Sequence, residues 1–300
     1  MAGGQERVLK RRIKSIQSTK KITKAFELIA ASRIVKAMVR MNDARPYFEA
    51  MSHVVHQFTS SAGLPKSKYI VDPIRGDRAI LVITADRGLC GAYNSAPLRL
   101  LEKALIQSEA EVGASKIKVI AVGKKAIKFL AYRSIEVSFA LSGVTERPTY
   151  EHARQIASSV FELYDNEVVT TVDIISTRFF SAGKQKLEVV PILPVDPNAL
   201  VSSPTAQTLD FEIEPSAEGL IDPLIRSYVE EKIFGLLLEA AAAEQAYRQR
   251  AMKAATENAQ DLISKYTIIM NRARQDSITT EIMEIIGGAE AMKAGKKAKE

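Results

Sequence analysis

The sequence predicts an α/β molecule in which two long helices, one from each end of the chain, form an antiparallel coiled coil around a central layered segment. Three observations predict it. Apolar residues step by threes and fours from about Glu6 to Phe58, and again from about Glu218 to Gly287. Between them the period changes to short continuous apolar runs separated by helical stretches. A helix with one apolar stripe must bury that stripe, so the two terminal helices are each other's obvious partner. Roughly 70 helical residues rising 1.5 Å each span on the order of 100 Å, which implies a rod carrying a knob.

The first helix shows coiled-coil spacing at Leu9, Ile13 and Ile16, then at Ala30, Ile34, Ala37, Met41, Ala44, Phe48, Met51 and Val55. Between these stretches the register holds Lys20, Thr23 and Glu27, while Ile22, Phe26 and Ile29 fill the neighbouring row. The apolar seam is therefore expected to shift around the helix there, as at a stutter. Pro46 should kink the helix without ending it, because Tyr47, Phe48 and Met51 continue the stripe. Ser60, Ser61, Gly63 and Pro65 break it.

Ala79–Thr84 reads as a strand buried on both faces, followed by a glycine turn (Gly88, Gly91) and a helix to about Ala110. Ile117–Val122 is a second strand leading into a helix over Lys124–Tyr132, and a further helix fits Tyr150–Tyr164. Val172–Phe180 and Leu187–Ile192 read as adjacent strands. This alternation predicts a Rossmann-like α/β domain, which the chain leaves through Pro191, Pro194, Pro197 and Pro204. In the last helix Val229, Ile233, Leu236, Ala240, Ala243 and Tyr247 step along one face, as do Ala255, Ala259, Leu262, Tyr266, Ile269 and Ala273. Glu244 with Arg248 and Asp261 with Lys265 are i,i+4 pairs. Gly287-Gly288 predicts the stop, and the residues beyond read as a basic tail.

Charge is unevenly placed. The chain carries a net charge of +7, and residues 1–40 alone hold eleven Lys or Arg against Glu6 and Glu27. The first helix thus presents a basic face suited to an acidic partner. Nucleic acid is the usual alternative, but aromatic interleaving and a recognised binding module are both missing. One cysteine, Cys90, excludes an internal disulfide framework and a Cys-based zinc site. No apolar run is long enough to span a membrane, and the basic helical start lacks the apolar core of a signal peptide.

Candidate chemistry is sparse. Gly88-Leu89-Cys90-Gly91 lies where phosphate-binding loops sit, yet lacks both nucleotide-binding glycine patterns, so a tight strand-to-helix turn is preferred. Gly123-Lys124-Lys125 resembles half of a P-loop and reads as a helix start. Cys90 would need a base, and His152 is the only histidine of the domain, so a buried structural thiol is the better reading. His53 and His56 share a helical face without a third ligand. Glu230-Glu231 is read as a solvated helix exterior. No catalytic, cofactor-binding or metal-binding residue is assigned.

Several motifs then point one way. Lys20-Lys21-Ile22-Thr23-Lys24-Ala25, Ala30-Ala31-Ser32-Arg33 and Arg45-Pro46-Tyr47 resemble the N-terminal helix of the gamma subunits of F-type ATP synthases. Residues 84–91 (TADRGLCG) resemble that family's central signature. Residues 251–258 (AMKAATEN), 271–282 (NRARQDSITTEI) and 285–289 (IIGGA) resemble its C-terminal helix. The resemblance covers both helices and the domain in order, and is to the bacterial type, because no cysteine pair or long insertion marks a chloroplast redox switch.

The resemblance implies a non-catalytic rotor, present once per complex and without a cofactor. Its terminal helices form a shaft inside a ring of alpha and beta subunits, and its domain is a foot beside the epsilon subunit on the membrane c-ring. No nucleic acid is involved, and the location implied is the cytoplasmic face of the bacterial plasma membrane, as a peripheral protein. The implied organisation is a shaft helix over 1–60, a foot domain over 76–200, a second shaft helix over 216–288 and a flexible basic tail over 289–300. The implied rotor–stator contacts are Lys20, Lys21, Lys24, Phe26 and Arg33 on the first helix and Arg274, Gln275, Thr279 and Glu281 on the last. Ile282, Ile285 and Ile286 would form an apical bearing. Phe26 stands where the family commonly has methionine. The competing reading is an α/β enzyme whose coiled-coil arm grips nucleic acid, with steeply salt-dependent affinity.

Overall fold

The computed structural model describes residues 2–61, 67–70, 76–110, 116–196 and 217–297. Helix α1 runs over Ala2–Ser61 and α5 over Ala217–Lys297. Between them lie strands β1 (Arg78–Ile83), β2 (Ile117–Val122), β3 (Phe139–Leu141), β4 (Thr171–Phe179) and β5 (Gln185–Leu193). Helices α2 (Ser95–Ala110), α3 (Lys124–Tyr132) and α4 (Tyr150–Asp165) alternate with the strands. Gly63, Pro65, Pro197 and Pro204, expected in loops, lie outside the described residues.

The chain divides into two compact units, one of residues 1–28 with 251–300 and one of residues 29–250. The second holds the sheet, in the order β3-β2-β1-β4-β5. Strands β1 to β4 are mutually parallel, and β5 is antiparallel to β4. The side chains of β1 explain its central place. Leu81 and Ile83 face a core shared with α4 and the start of α5, while Ile80 and Val82 face a core shared with α2 and α3. A strand buried on both faces requires the continuous apolar run that the sequence shows. β3 escaped the sequence reading because three residues cannot display a period.

Within this unit α1 and α5 lie antiparallel. Phe48 stacks on Tyr228 with ring centroids 6.1 Å apart, and Ile34 packs with Ala242, Ala243 and Ala246. Pro46 lies inside α1 without ending it. Glu230-Glu231 is not the solvated exterior the sequence suggested. Glu231 is 3% exposed, and Glu230 accepts a 2.8 Å bond from the Tyr150 hydroxyl. The helix at this level is enclosed on several sides, so Tyr228, Val229, Glu231 and Ile233 are all buried.

In the other unit the two helices are again antiparallel, with Lys20 donating to Gln260 and Thr256 to Thr23. The expected stutter is not there. Lys20, Thr23 and Glu27 stay in the half-buried seam, while Ile22 and Phe26 are 56% and 38% exposed. Polar partners on α5 satisfy the polar seam, so the helix has no need to rotate its apolar row inward. On α5 the seam likewise passes through Met252, Thr256, Ala259, Ile263, Tyr266 and Met270, leaving Leu262 and Ile269 exposed. Gly287-Gly288 does not stop the helix, which continues to Lys297. The flanking Ala, Glu, Met and Lys are strong helix formers and outweigh a glycine cost of ~1 kcal/mol each.

Candidate functional site

The β1–α2 loop is built first by its own chain. Gly123 caps α3 at φ +97, and a Cβ there would stand 2.2 Å from the Thr84 carbonyl oxygen. Only glycine admits that approach. The Thr84 hydroxyl donates to the Val122 carbonyl (3.1 Å) and accepts from the Ala126 N–H (2.9 Å), tying β1 to β2 and α3. Leu89 (φ 62) and Gly91 (φ 54) complete a tight turn into the 3-10 segment Gly91–Tyr93.

Asp86 sits at the start of α3. Its Oδ1 accepts from the backbone N–H groups of Lys124 (3.0 Å) and Gly143 (2.9 Å). Its Oδ2 accepts from the Thr145 N–H (3.1 Å) and hydroxyl (3.0 Å). Burial alone would push this carboxyl up, but the N–H groups of Gly143, Thr145 and Lys124 and the Thr145 hydroxyl outweigh it and hold the pKa below the usual value. A second anion at the start of α3 would meet this carboxylate.

The other candidates for chemistry are likewise engaged. Cys90 is 2% exposed, accepts from Asn94 Nδ2 at 3.0 Å, and has its thiol pushed up by burial and by Glu244. A protonated buried thiol is a poor nucleophile. His152 closes a capping box, its Nδ1 accepting from the Thr149 N–H at 3.1 Å. Among the described residues, no group of three or more His, Cys, Asp or Glu could hold a metal ion. Glu244 and Arg248 form the i,i+4 pair read from the sequence, 0% and 7% exposed and 2.6 Å apart, with Arg248 also donating to the Gly88 carbonyl at 3.3 Å. Burial pushes the Glu244 carboxyl up while Arg248 opposes it.

What remains are exposed helical faces. On α1, Lys21 is exposed, Lys24 pairs with Glu27 at 3.0 Å, and Phe26 stands beside them. Lys20 is half-buried and engaged by Gln260. Arg33, in the unit that holds the sheet, bonds Glu146 through Nη1 at 3.0 Å, with Arg87 on the same carboxylate at 3.3 Å. On α5, Arg274, Gln275, Thr279 and Glu281 are all exposed, with Thr279 bonding back to the Gln275 carbonyl. Ile282, Ile285 and Ile286 are 50%, 72% and 50% exposed, and Ile278 and Met283 extend the apolar surface. Sequence reasoning missed Asp86 as an organiser, although it lies inside the TADRGLCG string, because its partners are 38 to 59 residues away.

The family profile described as ATP synthase matches residues 5–292. A gamma chain of ATP synthase from Frankia casuarinae is 40% identical over 297 residues, covering 97% of this chain and 99% of that protein. The chain belongs to the ATP synthase gamma chain family. Similarity of fold extends to a chain in the Euglena gracilis mitochondrial ATP synthase assembly of OSCP, F1 and c-ring, with TM-score 0.68, 20% identity and coverage of 98% and 97%. A chain of the Tetrahymena thermophila mitochondrial ATP synthase central stalk and c-ring matches with TM-score 0.58 and 22% identity, covering 78% of this chain and 99% of that one. Membership of this family makes the chain a subunit of ATP synthase, a membrane-bound complex. Among the described residues no helix is long and apolar enough to cross a membrane.

Proposed function

We propose that this chain is the single non-catalytic rotor of a bacterial proton-translocating ATP synthase. It turns inside the alpha and beta subunits and stands, with an epsilon subunit, on the membrane c-ring at the cytoplasmic face of the plasma membrane. ATP chemistry stays in the surrounding ring. One asymmetric rod within a threefold ring gives each beta subunit a different contact, and only a differential contact shifts a conformational equilibrium. Rotation permutes those contacts. Lys20, Lys21, Lys24, Phe26 and Arg33 make the sliding contact, Arg274, Gln275, Thr279 and Glu281 the polar catch, and Ile282, Ile285 and Ile286 the apolar bearing.

The observation that carries this reading is the exposed surface of α5 at Ile278, Ile282, Ile285 and Ile286, apolar on a helix rich in exposed charge. Such a surface on a free chain favours a partner. The test is purification of the complex from membranes by a tag on this chain. It should appear once per three alpha and three beta subunits, and a bead on it should turn when ATP is hydrolysed. Recovery without alpha and beta subunits would sink the proposal.

A further inference from the structure

Where α5 passes the end of the sheet, its flank is smooth. Ala242, Ala243 and Ala246 are fully buried against Ile34 of α1 and against Ala85, Tyr93 and Phe179 of the domain. Apolar burial has no direction, and a methyl group gives little depth for interlocking. This contact fixes how closely α5 approaches but resists poorly its turning about its own axis. Larger α5 side chains, Tyr228, Val229, Ile233 and Leu236, interlock with the domain further back, and directional bonds add resistance at the level of the alanines.

Glu239 precedes this alanine run and supplies the strongest of them. Arg178 on β4 donates to it as a fork, Nε to Oε2 and Nη2 to Oε1, the latter at 3.0 Å. The Phe179 N–H donates to Oε2 at 3.3 Å, so the carboxylate is held by both side chain and main chain. Arg178 is steadied in turn by Glu188 of β5 at 3.7 Å, and β4 is bonded to both β1 and β5. The other domain bonds nearby are single: Tyr93 Oη to the Ala240 carbonyl (3.0 Å), Arg248 to the Gly88 carbonyl (3.3 Å), and exposed Arg250 to the Ala182 carbonyl (3.2 Å).

We propose that the Arg178–Glu239 clasp is the key that makes α5 turn with the α/β domain, and that Arg178 is therefore a positioning residue for torque transfer. The proposal rests on the rotor reading above. The test uses the whole complex, fixed through its alpha and beta subunits, with a bead on the domain through Tyr132→Cys. Tyr132 is 86% exposed, whereas the native Cys90 is 2% exposed and does not compete for the label. With ATP withheld, the bead's thermal angular fluctuations report the stiffness of the path between bead and ring.

Losing a charge-assisted fork should widen the angular variance roughly twofold in Arg178→Ala. Arg178→Lys, which keeps the cation but loses the fork, and Glu239→Gln, which keeps acceptor and shape but loses the charge, should fall between. If Arg178→Ala does not assemble, these two carry the test. Native variance in the assembled variants overturns the clasp. Failure of the unmodified complex to turn its bead during ATP hydrolysis would instead sink the rotor reading.

Discussion

The hydroxyls of Thr23 on α1 and Thr256 on α5 meet at 2.8 Å, with Thr256 also bonded to the Met252 carbonyl. A polar pair therefore holds a seam position that an ordinary coiled coil fills with Leu or Ile.

Removing one hydroxyl leaves the other facing a methyl group, whereas removing both restores an apolar contact of similar shape. Thr23→Val or Thr256→Val alone should destabilise by about 1 kcal/mol, and the double variant by less than the sum. Thermal unfolding of the assembled complex, run as a double-mutant cycle, checks this. Additive losses would show that the two hydroxyls do not interact.

Gly123→Ala should be among the most damaging single changes in the domain. Its new methyl would lie 2.2 Å from the Thr84 carbonyl oxygen at a φ of +97, and the expected cost is about 3 kcal/mol or more. Gly88→Ala is the matched control, because the nearest atom to its methyl is Lys125 Nζ at 3.7 Å. The yield of assembled complex should fall for the first and hold for the second.

Asp86 makes the domain acid-sensitive. Its folded pKa lies below the unfolded value, so its stabilisation is complete above the unfolded carboxylate range and is lost as pH falls through the folded pKa. Asp86→Asn should lose about 1–3 kcal/mol near neutral pH, since an amide cannot accept at both former oxygen positions. The variant's stability should also decline less steeply with acid. Equal slopes in acid unfolding of native and variant complexes would remove Asp86 from that role.

The α5 contacts should separate stability from coupling. Arg274→Ala with Gln275→Ala, or Ile285→Ser with Ile286→Ser, changes exposed side chains and should leave the chain's own stability within about 0.5 kcal/mol. ATP synthesis by membrane vesicles should drop severalfold with the complex still assembled. Unchanged synthesis in the first pair would remove the polar catch.

The parts legible in the sequence are those governed by local pattern. The run at Ile80–Ile83 shows a doubly buried strand, and the three-four stepping shows both helices, because burial writes directly into residue choice. The parts that stayed hidden depend on partners far along the chain. Arg33 reads as a free cation on a basic helix until Glu146, 113 positions later, is folded against it. Lys20, Thr23 and Glu27 look like a break in an apolar seam because the sequence of one helix does not show the Gln260 and Thr256 opposite. Glu231 looks solvated for the same reason: periodicity along α5 does not reveal how many neighbours enclose it.

Sheets with this topology commonly receive ligands in the crevice beyond the carboxyl ends of their strands. Here Asp86, in the loop after β1, is stitched to backbone from two other segments at those ends. That carboxylate acts as a rivet. The loop after β1 is thereby fastened to the start of α3 and to residues 143–145, so a displacement of any one of the three strains the other two.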